Sequence, residues 1–207
     1  MPPERIVIQS GPVGLESLWT PGQVDRGAVV AHPHPAYGGS MDNNVVEALA
    51  AGFGAAGLAT LLFNFRGVGA STGAYDKGKG EQEDLMAAFR YLETRGLSGN
   101  ILSGYSFGAW VAERTLSRLH PSCILVVSPP LAYWDFSGLL QAEAPVYVIG
   151  SDGDPFCPLE RLEPFLQSLP TLADAEILKG TDHFYSGRET LIEDTVRRWF
   201  AEPQGND

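Results

Sequence analysis

Residues 101–110 read ILSGYSFGAW. Ile101 and Leu102 open a short strand ending at Gly104, and residues 106–119 carry Ala109, Ala112, Leu116 and Leu119 at helical spacing on one face. Between them, Gly104-Tyr105-Ser106-Phe107-Gly108 fits G-x-S-x-G at a strand-to-helix turn. So tight a turn needs small residues on both sides. It exposes the serine hydroxyl at a helix N-terminus, where the helix dipole favours a nearby anion. The stretch predicts Ser106 as a nucleophile on an α/β scaffold.

Short apolar or β-branched runs at residues 5–9, 15–19, 28–31, 59–65, 101–104, 123–128, 146–150 and 176–178 predict eight strands. Helices are predicted from residue 44 to Gly57, and over 81–95, 106–119, 159–168 and 188–200. Asp42 and Asn43 can cap the first of these, whose apolar face is Val46, Leu49, Ala50 and Phe53. The second begins with Glu81, Glu83 and Asp84 and buries Leu85, Ala88, Phe89 and Leu92. After two initial strands the order alternates strand and helix, which predicts a mostly parallel sheet covered on both faces. Ligands in such sheets bind beyond the carboxyl ends of the strands. The segments there are HPHPAYGG (32–39), FRGVGAS (65–71), GYSFGAW (104–110), SPPLAYW (128–134), SDGDPF (151–156) and GTDHFYSG (180–187). They are Gly-rich, polar and aromatic, and they converge at one sheet edge.

A serine hydroxyl needs a base. His183 follows the last strand and precedes the last helix, where the base falls in a Ser, Asp, His chain order. Asp152 and Asp154 both follow the strand at 146–150 and both qualify as the acid. His120 follows a helix end and reads as a solvated cation. His32 and His34 flank Pro33 near the expected site, but no carboxylate or cysteine stands at metal-ligand spacing from them, so no metal is expected. Cys157, three residues past Asp154, reads as a small buried hydrophobe beside the site.

At 207 residues, a single domain over 1–207 is expected, large enough to bury its own core. A hydrophobic share of 44% excludes a disordered chain. Net charge is −11, with 25 acidic against 14 basic residues, which argues against nucleic acid and anionic membranes as partners. Two cysteines are too few for a disulfide scaffold. No signal-peptide core or 18-residue apolar run appears, and a cytoplasmic protein is expected. CxxC, HExxH and P-loop motifs are absent, and no cofactor is expected.

Taken together, HPHPAYGGSMDN (32–43), FRGVGASTG (65–73), GYSFGA (104–109), DLMAAFRYL (84–92) and GTDHFYSG resemble the α/β-hydrolase superfamily. More narrowly, they resemble its small lidless bacterial serine hydrolases, over about residues 5–200. The resemblance implies an eight-stranded sheet in order 1-2-4-3-5-6-7-8 with the second strand antiparallel. It implies Ser106 as nucleophile, His183 as base and an aspartate as orienting acid. In the superfamily the acid usually stands four residues before a proline, and Asp154 stands so before Pro158. It also usually lies three residues after the strand-ending glycine; Asp154 is four after Gly150 and Asp152 two. The proline count favours Asp154, with Asp152 as the alternative. An oxyanion hole is implied from the backbone N–H of Phe107 and one on the loop after the third strand. Pro33 stands where the superfamily usually has a glycine, and Pro33 and Pro35 have no N–H. His34 is therefore the expected donor, with Tyr37 as alternative.

Relatives often insert a cap between strands six and seven, but residues 129–144 leave room only for a loop and a short helix. An open site follows, with Tyr37, Tyr133 and Trp134 as candidate pocket residues; Tyr133, Trp134 and Phe136 serve either as an apolar wall or as ordinary core covering the sheet edge. Serine at the elbow argues against the aspartate-based dehalogenase and epoxide-hydrolase branches, and against cysteine-based relatives. The expected activity is hydrolysis of small carboxylic esters (EC 3.1.1) through an acyl-enzyme, with a small acyl compound as the partner. Thioester, lactone or amide hydrolysis and acyl transfer use the same constellation. A catalytically silent small-molecule binding protein is the alternative of another class.

Overall fold

Strands β3 (Gly27–Ala31), β4 (Ala59–Phe63), β5 (Ile101–Tyr105) and β6 (Cys123–Val127) are buried at every position. Continuous apolar runs of this kind need helices on both faces of the sheet. The structure, a computed structural model, describes residues 2–201; residue 1 and residues 202–207 of the expected domain lie outside the described residues. Its sheet has eight strands in order β1-β2-β4-β3-β5-β6-β7-β8, with β1 (Glu4–Ser10), β2 (Val13–Thr20), β7 (Val146–Ser151) and β8 (Leu172–Leu178) completing the set. Strand β2 runs antiparallel to both neighbours, and the other pairings are parallel. This is the α/β-hydrolase fold.

Alternation along each strand divides the core between the two faces. Ala28 and Val30 join Val46, Leu49 and Phe53 of α1 (Asn44–Ala55) and Ile192, Val196 and Phe200 of α5 (Glu189–Phe200). On the other face, Val29 and Ala31 join Leu85 and Phe89 of α2 (Lys79–Thr94) and Val111 of α3 (Phe107–Thr115). Ile124, Val126 and Val148 pack with Leu162 of α4 (Leu159–Ser168) on that side. Residues 129–144 hold only a 3-10 helix, Ser137–Gln141, and form no cap. Among the described residues, no helix is long and apolar enough to cross a membrane.

Several boundaries differ from the sequence expectation, each for a local reason. Strand β4 stops at Phe63 rather than residue 65, because the Phe65 N–H goes to a histidine ring instead of a neighbouring strand. Helix α2 starts two residues early, where the buried Glu81 carboxylate accepts the Gly78 and Asp76 N–H groups. Helix α3 ends at Thr115, and turns carry the chain to the buried Leu119. Strand β8 extends back to Leu172; as an edge strand with one wet face, its first half carries exposed Ala173 and Asp174 and lacks an apolar signature. Asn43, not Asp42, caps α1 by accepting the Val45 N–H.

Helices α1 and α5 meet through Phe53, fully buried with its ring 5.2 Å from that of Phe200. Phe53→Ala should cost about 3–5 kcal/mol, read as a lower denaturation midpoint at unchanged m-value.

Candidate active site

Ser106 sits between β5 and α3 with φ 55° and ψ −116°, a left-handed conformation that costs a non-glycine residue backbone strain. Close packing holds it there. A Cβ at Gly108 would overlap the carbonyl oxygen of Ala31, at the end of β3, and one at Gly104 would overlap the backbone of Gly108. Both flanking glycines are therefore required for α3 to start this close to the sheet. The Ser106 N–H donates to the Val127 carbonyl of β6 at 2.9 Å.

His183, on the loop after β8, brings Nε2 to 3.0 Å from Ser106 Oγ. Its Nδ1 lies 2.7 Å from Asp154 Oδ2. The structure thus pairs Asp154 with the histidine, whereas Asp152 turns away and accepts the Gly180 N–H at 2.8 Å. All three residues of the line are buried, with Ser106 the least so at 8% exposed. The Asp154 carboxylate is cradled: Oδ1 accepts the Phe156 and Cys157 N–H groups at 2.8 and 3.0 Å. Burial pushes its carboxyl up, but the His183 bond and charge, the Ser128 hydroxyl and the Phe156 N–H together hold it below the ordinary carboxylate value. Behind it, Ser128 Oγ lies 2.7 Å from the fully buried Tyr185 hydroxyl. The Tyr105 hydroxyl donates to the His183 carbonyl at 2.7 Å and fixes the loop that carries the ring. Tyr105, Ser128 and Tyr185 were not singled out from sequence. The available signal was hydroxyl-bearing residues inside three of the converging loops.

The remaining histidines and Cys157 separate cleanly. His120 is exposed at its turn. Cys157 is fully buried, and burial beside the Asp154 charge pushes its thiol up. His32 is fully buried, with Nδ1 2.6 Å from the Pro33 carbonyl and Nε2 accepting the Phe65 N–H at 3.0 Å. Burial outweighs the Pro33 bond and pushes its imidazole down to about 4. His34 is half-buried; its Nδ1 accepts the Ala36 N–H, and its Nε2 lies 3.1 Å from the Tyr75 hydroxyl. Both rings are thus engaged within the loops. Among the described residues, no group of three or more His, Cys, Asp or Glu is disposed to hold a metal ion.

Among the described residues, the backbone N–H groups of Phe107 and His34 donate to no acceptor. Two sets of aromatic rings flank the serine. On one side the His34 ring is ringed by Phe107, Tyr37, Tyr75 and Trp134, with centroids 4.8, 4.9, 5.1 and 6.2 Å away. On the other, Phe156 and Phe184 pack at 4.6 and 5.5 Å from the His183 ring, and Tyr133 lies over Phe156 at 5.8 Å. Tyr37, Tyr75, Tyr133 and Phe184 are 88, 38, 68 and 56% exposed, so the two sets form a rim open to solvent. Of the two readings for Phe136, the structure takes the core one: it lies beside α4, facing Phe165. Its position after the turn at Asp135 directs it inward. Tyr75, Phe156 and Phe184 join the rim without having been singled out from sequence.

No protein-family model matches the chain. An uncharacterized protein of Rickettsia prowazekii (strain Madrid E) is 31% identical over 190 residues, covering 86% of this chain and 80% of that one. An α/β serine hydrolase homologue from Coxiella burnetii is 33% identical, with a TM-score of 0.89 over 96% of this chain and 97% of that chain. A Xanthomonas campestris α/β serine hydrolase without a lid is 31% identical, with a TM-score of 0.86 over 97% of each chain. With its sheet order, its strained serine elbow and its missing cap, the chain belongs to the lidless α/β serine hydrolases.

Proposed function

We propose that the protein hydrolyses small carboxylic esters through an acyl-enzyme on Ser106, with His183 as general base and acid and Asp154 as its orienting carboxylate. The observation that carries this reading is the unbroken line from Ser106 Oγ through His183 to Asp154, at 3.0 and 2.7 Å. Asp154 accepts from Nδ1, which leaves Nε2 free to take the Ser106 proton as Oγ attacks the carbonyl carbon. The Phe107 and His34 N–H groups, free of other acceptors, would hold the oxyanion of the tetrahedral intermediate. The imidazolium then returns its proton to the leaving alcohol. Water, activated the same way, releases the acid and restores Ser106. The ionised Asp154 stabilises the cation at each step. Without a cap, the aromatic rim is the surface against which apolar acyl and alcohol groups of a small substrate would pack. The buried, unpaired Cys123 and Cys157 accord with a reducing, cytoplasmic setting.

Ser106→Ala should leave the fold intact and lower kcat by about 10⁴-fold or more on p-nitrophenyl esters. A fluorophosphonate should label the folded wild type at Ser106 and spare the variant. Asp154→Asn should cost kcat about 10⁴-fold, while Asp152→Asn leaves it nearly unchanged. Comparable losses in the two aspartate variants would remove Asp154 from the assigned role. Thiol reagents small enough to avoid occlusion should not inhibit, and Cys157→Ala should keep most activity.

The Asp154 carboxyl also makes a prediction about stability. A carboxyl depressed in the folded state adds stability above its unfolded value, and that contribution disappears as pH falls through the lower folded value. The stability difference between wild type and Asp154→Asn should therefore shrink as pH falls from about 6 to about 3. Denaturant midpoints of both proteins across that range measure it. A difference independent of pH would contradict the depressed carboxyl.

A further inference from the structure

The peptide that joins Pro33 to His34 carries two distinct groups. Its N–H is the second oxyanion donor of the proposed reaction. Its C=O lies 2.6 Å from His32 Nδ1. A trans peptide is planar, with N–H and C=O pointing in opposite directions. Whatever fixes the carbonyl therefore also aims the N–H.

The His32 ring is well placed to fix it. It is fully buried, and its edge packs on Phe65 at 4.7 Å. The Phe65 main-chain N–H can only donate, so His32 Nε2 is the acceptor at 3.0 Å. The neutral ring's single proton then sits on Nδ1 and points at the Pro33 oxygen. Burial keeps the ring neutral, which preserves this tautomer. Gly39 closes the other side of the same peptide. Its N–H donates to the His34 carbonyl at 3.1 Å, and a Cβ there would overlap the Pro33 carbonyl. Proline at 33 further limits the loop by locking φ. The carbonyl is thus held between an imidazole and a bare backbone, and the N–H on its far side is left without a protein acceptor.

We propose that His32 is a positioning residue of the oxyanion hole: its Nδ1–H holds the Pro33 carbonyl inward and so presents the His34 N–H to the oxyanion formed above Ser106. The inference rests on the serine-hydrolase reading with His34 as donor. It also explains how a loop with proline in place of the usual small residue keeps a donor aimed at the site.

Two substitutions separate the nitrogens of His32. In His32→Asn the side-chain amide lies where Nδ1 lay, so the donor to Pro33 can persist while the Phe65 N–H loses its acceptor. In His32→Gln the amide reaches the Nε2 position, so Phe65 keeps an acceptor and Pro33 loses its donor. Each folded variant is assayed on a p-nitrophenyl ester, and its affinity for an alkyl boronic acid, which forms a tetrahedral adduct on the serine, is measured. His32→Gln should lose kcat by about 10²-fold, the scale of a lost oxyanion donor, with KM little changed and boronate affinity falling in step. His32→Asn should keep most of both. Equal losses in the two variants, or a kcat loss that boronate affinity does not follow, would overturn the proposal in favour of a packing role. If neither variant folds, Gly39→Ala decides: kcat and boronate affinity falling together support it, and a folded, fully active Gly39→Ala overturns it. A wild type that neither turns over esters nor reacts with a fluorophosphonate defeats the hydrolase reading itself, and this inference with it.

Discussion

The site depends on one close approach of backbones, that of helix α3 to the end of strand β3. At Gly108 the helix presses its main chain on the Ala31 carbonyl with no room for a side chain between them. That contact lets α3 start one residue after Ser106, and so keeps the serine at φ 55°. The strain is offset by the surrounding sheet, whose strands β3 to β6 are buried throughout. The same contact sets the loop after β3 beside the start of α3, which brings the His34 ring to 4.8 Å from that of Phe107. The serine elbow and the loop after β3 are therefore one packed unit.

Charge at the site is held first by the pairing of Asp154 with His183, and then by hydroxyl and main-chain donors. Asp154 is 3% exposed and would favour its neutral form if burial acted alone. The His183 imidazole first, then the Ser128 hydroxyl and the Phe156 N–H, make the ionised form the stable one. The nearby tyrosines are different in kind. Burial pushes both phenols up, so Tyr105 and Tyr185 remain neutral hydroxyls that hold loops in place. His32 follows the same rule with the opposite sign, burial keeping a base uncharged. Burial thus maintains a fixed protonation pattern around the one histidine that the proposed reaction requires to gain and lose a proton.

The rim around the serine follows from the missing cap. Four exposed aromatic side chains rise from the loops after β3, β4, β6 and β8. Tyrosine and phenylalanine give large apolar contact at low entropic cost, and the tyrosines keep a hydroxyl for water. Tyr75 shows the principle: its ring lies against His34 and Phe107 while its hydroxyl meets His34 Nε2.

Much of this protein could be read from local pattern. Strand and helix order, the parallel core and the serine elbow all follow from periodicity and turn chemistry, because each is decided by residues a few positions apart. His183 and the pair Asp152 and Asp154 could be found because topology sends the loops after the strands to one edge. The edge strand β8 and the ends of β4 and α3 were harder, since exposure on one face or a bond to a distant ring decides them. Which aspartate meets His183 is a matter of where a loop points, and it was settled by the Phe156 and Cys157 N–H groups that hold Asp154 inward and by the Gly180 N–H that draws Asp152 away. Phe136 turned into the core and Phe184 out to the rim for the same reason: neither period nor composition encodes the direction of an irregular segment. Chain-local chemistry specified the elements and the candidate side chains of the site. Long-range packing alone chose their partners, because hydrogen bonds such as Tyr105 to His183, 78 residues apart, exist only once the sheet is assembled.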